Sequence, residues 1–227
     1  MTYTPRGPLA ACLLSVLVAC SRTPEPAPAP EPTPGPVAGA PAPATQPPAP
    51  KPESGHEHHM TGLPAVKIPQ GAIYTEADVH FMQGMIAHHA QAIHMSQLAA
   101  SRGASPRLVK LAQKIDLSQM GEIVLMQEWL RENGQVAPDT SSWRTMTMAG
   151  MLTTEELSKL SAARGQEFDR LFLVYMIKHH EGALRMVEDL FRTPRAAQDV
   201  DVSVLANDVE NVQTAEIALM RQMLIEM

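Results

Sequence analysis

The chain has 227 residues, a formal net charge of −6 and only 4% aromatic residues. An acidic balance with no long basic run excludes a phosphate-binding face for nucleic acid, and so few aromatics exclude a base-stacking platform. Both cysteines, Cys12 and Cys20, fall at the extreme N-terminus, so the rest of the chain has no thiol for a disulfide, a nucleophile or a metal site.

Residues 1–19 read as a lipoprotein signal peptide. Arg6 supplies the positive start, and the apolar stretch from Leu9 to Ala19 is too short to span a bilayer. Leu17-Val18-Ala19-Cys20 resembles a bacterial lipoprotein cleavage box, whose cysteine becomes the lipidated first residue. This predicts an exported protein held to the membrane by an N-terminal lipid on Cys20, on the periplasmic or extracellular face of the cell envelope. An ordinary secretory signal with a chance cysteine is the plainer alternative.

Residues 20–70 are dominated by Pro, Ala, Glu and Thr, as in TPEPAPAPEPTPGPVAGAPAPATQPPAP. Such a segment cannot bury enough apolar surface to fold and is expected to be a disordered, extended tether. At about 3 Å per residue it would reach on the order of 100 Å. Near its end, His56-Glu57-His58-His59-Met60 reads either as a weak soft-metal cluster or as solvated linker.

Residues 71–227 are long enough for one domain with a real core. Apolar residues recur at three- and four-residue spacing and no run alternates with period two, which predicts an all-α fold. A first helix opens at the N-cap Thr75 and stops at Gly103; Ser105-Pro106 opens a second, which runs to Gly134. A loop over residues 135–152 carries Trp143 and the run MTMAGM. Thr153-Thr154-Glu155-Glu156 is a capping box for a short helix ending near residue 163. A long helix is predicted over about 166–191, and after the Pro194 break a last one from about 199 to the C-terminus.

The halves repeat one another. Asp78, Phe81, Met85, Ile86, His88, His89, Ala92 and Met95 match in order Asp169, Phe172, Met176, Ile177, His179, His180, Ala183 and Met186. Gln119, Glu122, Ile123, Leu125 and Met126 likewise match Gln213, Glu216, Ile217, Leu219 and Met220. The short connections make each half an antiparallel hairpin, so the expected fold is a four-helix bundle of two repeated helical hairpins with approximate two-fold symmetry. Residues equally far from a hairpin turn lie level. This sets His88 near Gln119 and Met85 near Glu122, and His179 and His180 near Gln213 and Glu216. The polar residues of all four long helices then meet in one middle layer, while His80 and His94 project from the far side of their helix.

The patterns F-x-x-x-M-I-x-H-H, at Phe81 to His89 and again at Phe172 to His180, and Q-x-x-E-I-x-x-M, at Gln119 to Met126, resemble the bacterial domain-of-unknown-function family 305. The resemblance covers nearly all of residues 71–227. It implies a ferritin-like four-helix fold and export, and some members of that family are copper-binding proteins of the bacterial envelope. The first doublet departs from the family's commoner Pro-His-His-Gln-Gly run, with Ala87 before it and Ala90-Gln91 after it. The second has Lys178 before it and Glu181-Gly182 after it.

Imidazole and thioether together suit copper, and imidazole with carboxylate suits zinc or cupric copper. The candidate metal ligands are His88, His89, His179 and His180, with Met85, Met95, Met176, Met186, Glu122 and Glu216 as further donors. Adjacent residues on a helix diverge by about 100°, so a shared site must draw ligands from several helices. The same residues also suit a purely structural reading, in which Gln119, Glu122, Gln213 and Glu216 bond the imidazoles and fix helix register in a scaffold or interaction module. Met146, Met148 and Met151 in the MTMAGM loop read either as a capture site for cuprous ion or as a hydrophobic lid. No catalytic site is expected. The predicted helices lack the Glu-x-x-His pairs of di-iron bundles, since the sole example, Glu53 to His56, is in the tether, and no nucleophilic triad or phosphate loop is present.

Overall fold

The computed structural model describes residues 60–227; the signal peptide, Cys20 and the His56 to His59 part of the tether cluster lie outside the described residues. The helices are α1 (Glu76–Ser101), α2 (Pro106–Glu132), α3 (Thr154–Ala162), α4 (Gly165–Arg192) and α5 (Val200–Ile225), with one 3-10 turn at Ser142–Arg144. Their starts follow local chemistry. Thr75 and Thr153 close capping boxes with Asp78 and Glu156, and Ser105 caps α2 ahead of Pro106. Each cap oxygen takes a backbone N–H that the first helical turn would leave without a partner.

The domain is all-α, with α1 packed along α2, α4 along α5, and the two hairpins joined through α1 and α4. The single β pairing among the described residues is an isolated bridge between Thr61 and Thr147. No helix among them is long and apolar enough to cross a membrane. Ordered packing begins before α1: Met60, Leu63 and Val66 lie against the core, and Gln135 Nε2 donates to the Lys67 carbonyl at 2.8 Å. Composition alone places these residues in the tether, but an apolar side chain at every third position is enough to dock them.

Two matched aspartates tie the hairpins together reciprocally. Fully buried Asp78, on α1, accepts from Thr75 N at 2.7 Å and from Ala197 N, in the α4–α5 turn, at 2.6 Å. Its counterpart Asp169, on α4, accepts from Ser105 N, in the α1–α2 turn, at 3.2 and 3.1 Å. The Asp78 bond also helps hold Ala197 at φ +54°, a left-handed conformation costly for a residue with a side chain. Asp169→Ala is expected to destabilise the domain by about 2 kcal/mol, because it leaves the half-buried Ser105 N–H without its acceptor and removes a charge-assisted bond. Urea unfolding measures this.

The core is two apolar clusters separated by polar side chains. One contains Met85, Ile86, Ile123, Met126, Met186, Val187 and Val209; the other contains Met95, Ile115, Phe168, Phe172, Met176, Ile217 and Met220. Between them in sequence on every long helix come the histidine doublets, Gln119 and Gln213. That interval is the predicted polar layer.

Candidate metal centre

The turn of about 100° between neighbouring helical residues splits each doublet. The first members face each other across the hairpins, the His88 and His179 rings lying 3.7 Å apart between centroids at 37°. The second members turn back to their own hairpins. His89 Nε2 lies 2.5 Å from Glu122 Oε2, and His180 Nε2 lies 3.0 Å from Glu216 Oε2. Matching residues therefore make matching bonds, as an approximate dyad through the His88–His179 contact requires. All four histidines are fully buried.

These contacts fix the ring protons. An ionised carboxylate only accepts, so Nε2 of His89 and of His180 must carry hydrogen, leaving Nδ1 as a lone pair when the ring is neutral. His88 Nε2 similarly donates to the Ala149 carbonyl at 3.1 Å. Nδ1 has no protein partner in any of the four rings, and His179 has none at either nitrogen. Buried polar atoms without partners are rare enough to call for an explanation.

Electrostatics favour neutral rings. Burial, reinforced by the positive charge that His89 can carry, lowers the His88 pKa to about 3. Burial and neighbouring His88 push His179 well below the ordinary imidazole value. Burial also lowers His180, against the opposing pull of Glu216. The Glu216 carboxyl is raised by burial, but the His180 bond and charge, with Lys114 at 3.4 Å, bring it below its ordinary value. His88, His179 and His180 thus present uncharged nitrogen lone pairs, the form that binds a metal ion.

The other candidates fall around this layer. Met85 and Met186 belong to the cluster on one side, Met95 and Met176 to the cluster on the other, and all four are buried. Glu122 and Glu216 serve as acceptors that orient histidines. Gln119 and Gln213 reach the interior, but their amides bond neither the histidines nor any other protein group. His80 and His94 lie away from the layer: His80 is 3.9 Å from Glu76, and His94 stacks on Trp143. Among the described residues no group of three or more His, Cys, Asp or Glu side chains is disposed to hold a metal ion.

Met146, Met148 and Met151, for which capture and lid readings were both open, are buried against the first cluster. Their loop closes over the doublets and supplies Ala149 O to His88. Two equivalent positions of the repeat hold it in different ways. On α1, Gln91 clasps Leu152, donating to its carbonyl at 3.2 Å and accepting from its N–H at 2.7 Å. On α4 the corresponding residue is Gly182, where a Cβ would lie 2.0 Å from Ala149 O and 2.6 Å from Gly150 Cα. The role of Gly182 escaped the sequence reading, and its signal was this Gln-to-Gly break in an otherwise close match.

Comparison with known proteins agrees with this architecture. Residues 78–224 match the family described as Domain of unknown function (DUF305). Protein L153 of Acanthamoeba polyphaga mimivirus is 42% identical over 64 residues, 27% of this chain and 42% of that protein, so the chain spans less than half of that relative. The crystal structure of a Streptomyces coelicolor DUF305 protein described as secreted is 28% identical with a TM-score of 0.59, covering 66% of this chain and 93% of that one. CopM, whose structures include apo, Cu(I)-, Cu(II)- and silver-bound forms, is 31% identical in its Cu(I) form with a TM-score of 0.51, covering 64% of this chain and 93% of that one. Since the matched residues span both hairpins and the whole polar layer, the chain belongs to the DUF305 family.

Proposed function

We propose that this protein is an exported, lipid-anchored copper-binding protein that buffers or hands on the ion in the cell envelope, without catalysis, and that its bundle is of the ferritin-like, doubled-hairpin type. The observation that carries the reading is the set of four buried imidazoles whose Nδ1 atoms lack protein partners while three of the Nε2 atoms are held by oxygen acceptors. A carboxylate or carbonyl behind a histidine is the usual device for orienting a metal-binding ring. Copper-bound forms of CopM at about 30% identity support the same choice of ion, and the secreted relative supports export.

The donor set discriminates among metals. Zinc takes four ligands in structural sites, and no group of even three His, Cys, Asp or Glu converges among the described residues. The cuprous ion accepts as few as two neutral nitrogen donors, and buried thioethers on either side of the layer suit it further. In the purely structural reading Gln119, Glu122, Gln213 and Glu216 all bond the imidazoles; the two glutamates do, whereas the amides of Gln119 and Gln213 have no protein partner.

Titration of the full chain with Cu(I) under reducing conditions, and with Ag(I), tests the proposal. Replacing His88, His89, His179 and His180 together by Asn is expected to abolish the tightest binding, with circular dichroism reporting whether the helices persist. Equal uptake by the intact chain and the quadruple variant sinks the idea. Glu122→Gln or Glu216→Gln alone is expected to weaken binding by about 10- to 100-fold, the usual effect of removing a group that orients a ligand.

A further inference from the structure

Gly84 sits in the middle of α1, one turn before the first doublet, and its place in the repeat is held on α4 by Tyr175. The space that the missing side chain leaves is filled from three different segments. An ideal Cβ there would lie 3.1 Å from Met60 Sδ, 3.4 Å from Met186 Cε and 3.7 Å from Met148 Cε. Met60 presents its sulfur and the other two present their methyl groups, each bonded directly to sulfur, so three thioether side chains end around one point above the helix.

The convergence is built by the backbone. The Thr61–Thr147 bridge, with Thr61 N to Thr147 O at 3.1 Å and Thr147 N to Thr61 O at 3.2 Å, brings the chain ahead of α1 against the lid loop. It thereby sets Met60 beside Met148, while α4 supplies Met186. Met60 packs against the core but is only partly buried, and it lines a cleft of about 80 Å³ together with Met186. The exposed residues Asp189 and Thr193 also line this cleft, so it reaches solvent.

We infer that Met60, Met148 and Met186 form a thioether site over Gly84 for one soft monovalent cation, Cu(I) or Ag(I), separate from the buried imidazole layer. Thioethers are neutral, polarizable donors that select a soft ion of low charge and leave Zn(II) and other harder divalent ions in water. The Asp189 carboxylate at the cleft gives a cation a favourable approach. Because Tyr175 replaces the glycine in the other half, the repeat supplies this cradle once per chain. The site does not depend on the doublets, so it stands or falls apart from the function proposed above.

The test uses the full chain with its methionine methyl groups labelled with carbon-13, titrated with Ag(I) and, separately, with Zn(II). Silver is expected to shift the methyl resonances of Met60, Met148 and Met186 at one common equivalent, in the wild type and equally in the quadruple histidine variant, whereas zinc leaves them in place. The Met60→Leu, Met148→Leu, Met186→Leu triple variant is expected to bind one silver equivalent fewer. Should that variant fail to fold, Gly84→Ala, which raises helix propensity and puts a methyl where the thioethers meet, is expected to lose the same equivalent. Unmoved resonances on silver addition, or silver uptake undiminished in Gly84→Ala, would overturn the inference.

Discussion

A Gly182→Ala variant is expected to lose about 3 kcal/mol of stability and to lift the lid loop from the histidine layer. Glycine to alanine inside a helix ordinarily stabilises by up to about 1 kcal/mol, so the expected sign is itself diagnostic. At Gly182 the new methyl would sit 2.0 Å from Ala149 O, 2.5 Å from Ala149 C and 2.6 Å from Gly150 Cα. All three are backbone atoms and cannot swing aside. Gly150 is constrained in turn: its φ is +79°, and a Cβ there would meet Lys178 O and Gly182 Cα at 2.6 Å. Relief therefore requires the loop to move as a unit, and Ala149 O, the acceptor for His88, moves with it. Methionines 146, 148 and 151 would be exposed together. Urea unfolding gives the stability, and hydrogen exchange across residues 146–152 reports the lift. Gly121→Ala is the control, since nothing lies within 4 Å of a Cβ at that position, and it is expected to be neutral or mildly stabilising. If Gly182→Ala behaves like Gly121→Ala, the close approach of loop and helix is not a constraint.

How far the sequence carried depended on whether a feature was written in a local pattern. Helix starts were legible because Thr75, Ser105-Pro106 and Thr153 act within a single turn. The central layer was legible because helical period and hairpin register are both short-range rules, so the first doublet could be set level with Gln119 and Glu122 and the second near Gln213 and Glu216, while the pairing of His89 with Glu122 and of His180 with Glu216 came from the structure. Internal repetition extended those rules to the second half. What was not legible depended on contacts between distant segments. The docking of Met60 on the lid loop rests on one β-bridge across 86 positions of sequence, Thr61 to Thr147, and no periodicity announces it. Composition assigned the same residues to the tether. Gln119 and Gln213 show a different limit: sequence offered them alongside Glu122 and Glu216 as partners of the histidines, and only the two glutamates bond the rings.

The repeat also reveals which departures carry meaning. Where both halves agree, as at Asp78 and Asp169 or at the doublets, the paired residues do the same work about the dyad. Where they disagree, at Gln91 against Gly182 and Gly84 against Tyr175, the difference coincides with the lid loop crossing one face. Two identical hairpins have no place for a single connecting segment. The loop between them breaks the symmetry, and the residues beneath it have adapted.

Acid is expected to destabilise the domain steeply below pH 6.5, with buried His88, His179 and His180 as the main cause. His88 titrates at the ordinary 6.5 in the unfolded chain and at about 3 in the fold. Between those values the unfolded state takes up a proton that the native state refuses, so protons pull the equilibrium toward unfolding. The stability that neutral His88 allows is complete above pH 6.5 and is lost as pH falls toward 3. The loss is about 1.4 kcal/mol per pH unit, or about 5 kcal/mol over the interval. His179 and His180, both lowered chiefly by burial, act in the same direction. Glu216, also lowered, adds to the loss as pH falls through and below its ordinary value of 4.5. Denaturant melts from pH 8 to 4 measure the slope, and His88→Asn with His179→Asn is expected to flatten it even if the variant starts less stable. An unchanged slope would mean that the buried rings are not held neutral. The same depression has a consequence for metal uptake. An ordinary imidazole ligand loses affinity as it protonates between pH 7 and 5, whereas His88 stays unprotonated through that range wherever the fold persists. If the proposed site uses His88 and His179, its silver affinity is therefore expected to vary by less than about threefold between pH 7 and 5.5, against roughly tenfold or more for a pair of exposed histidines.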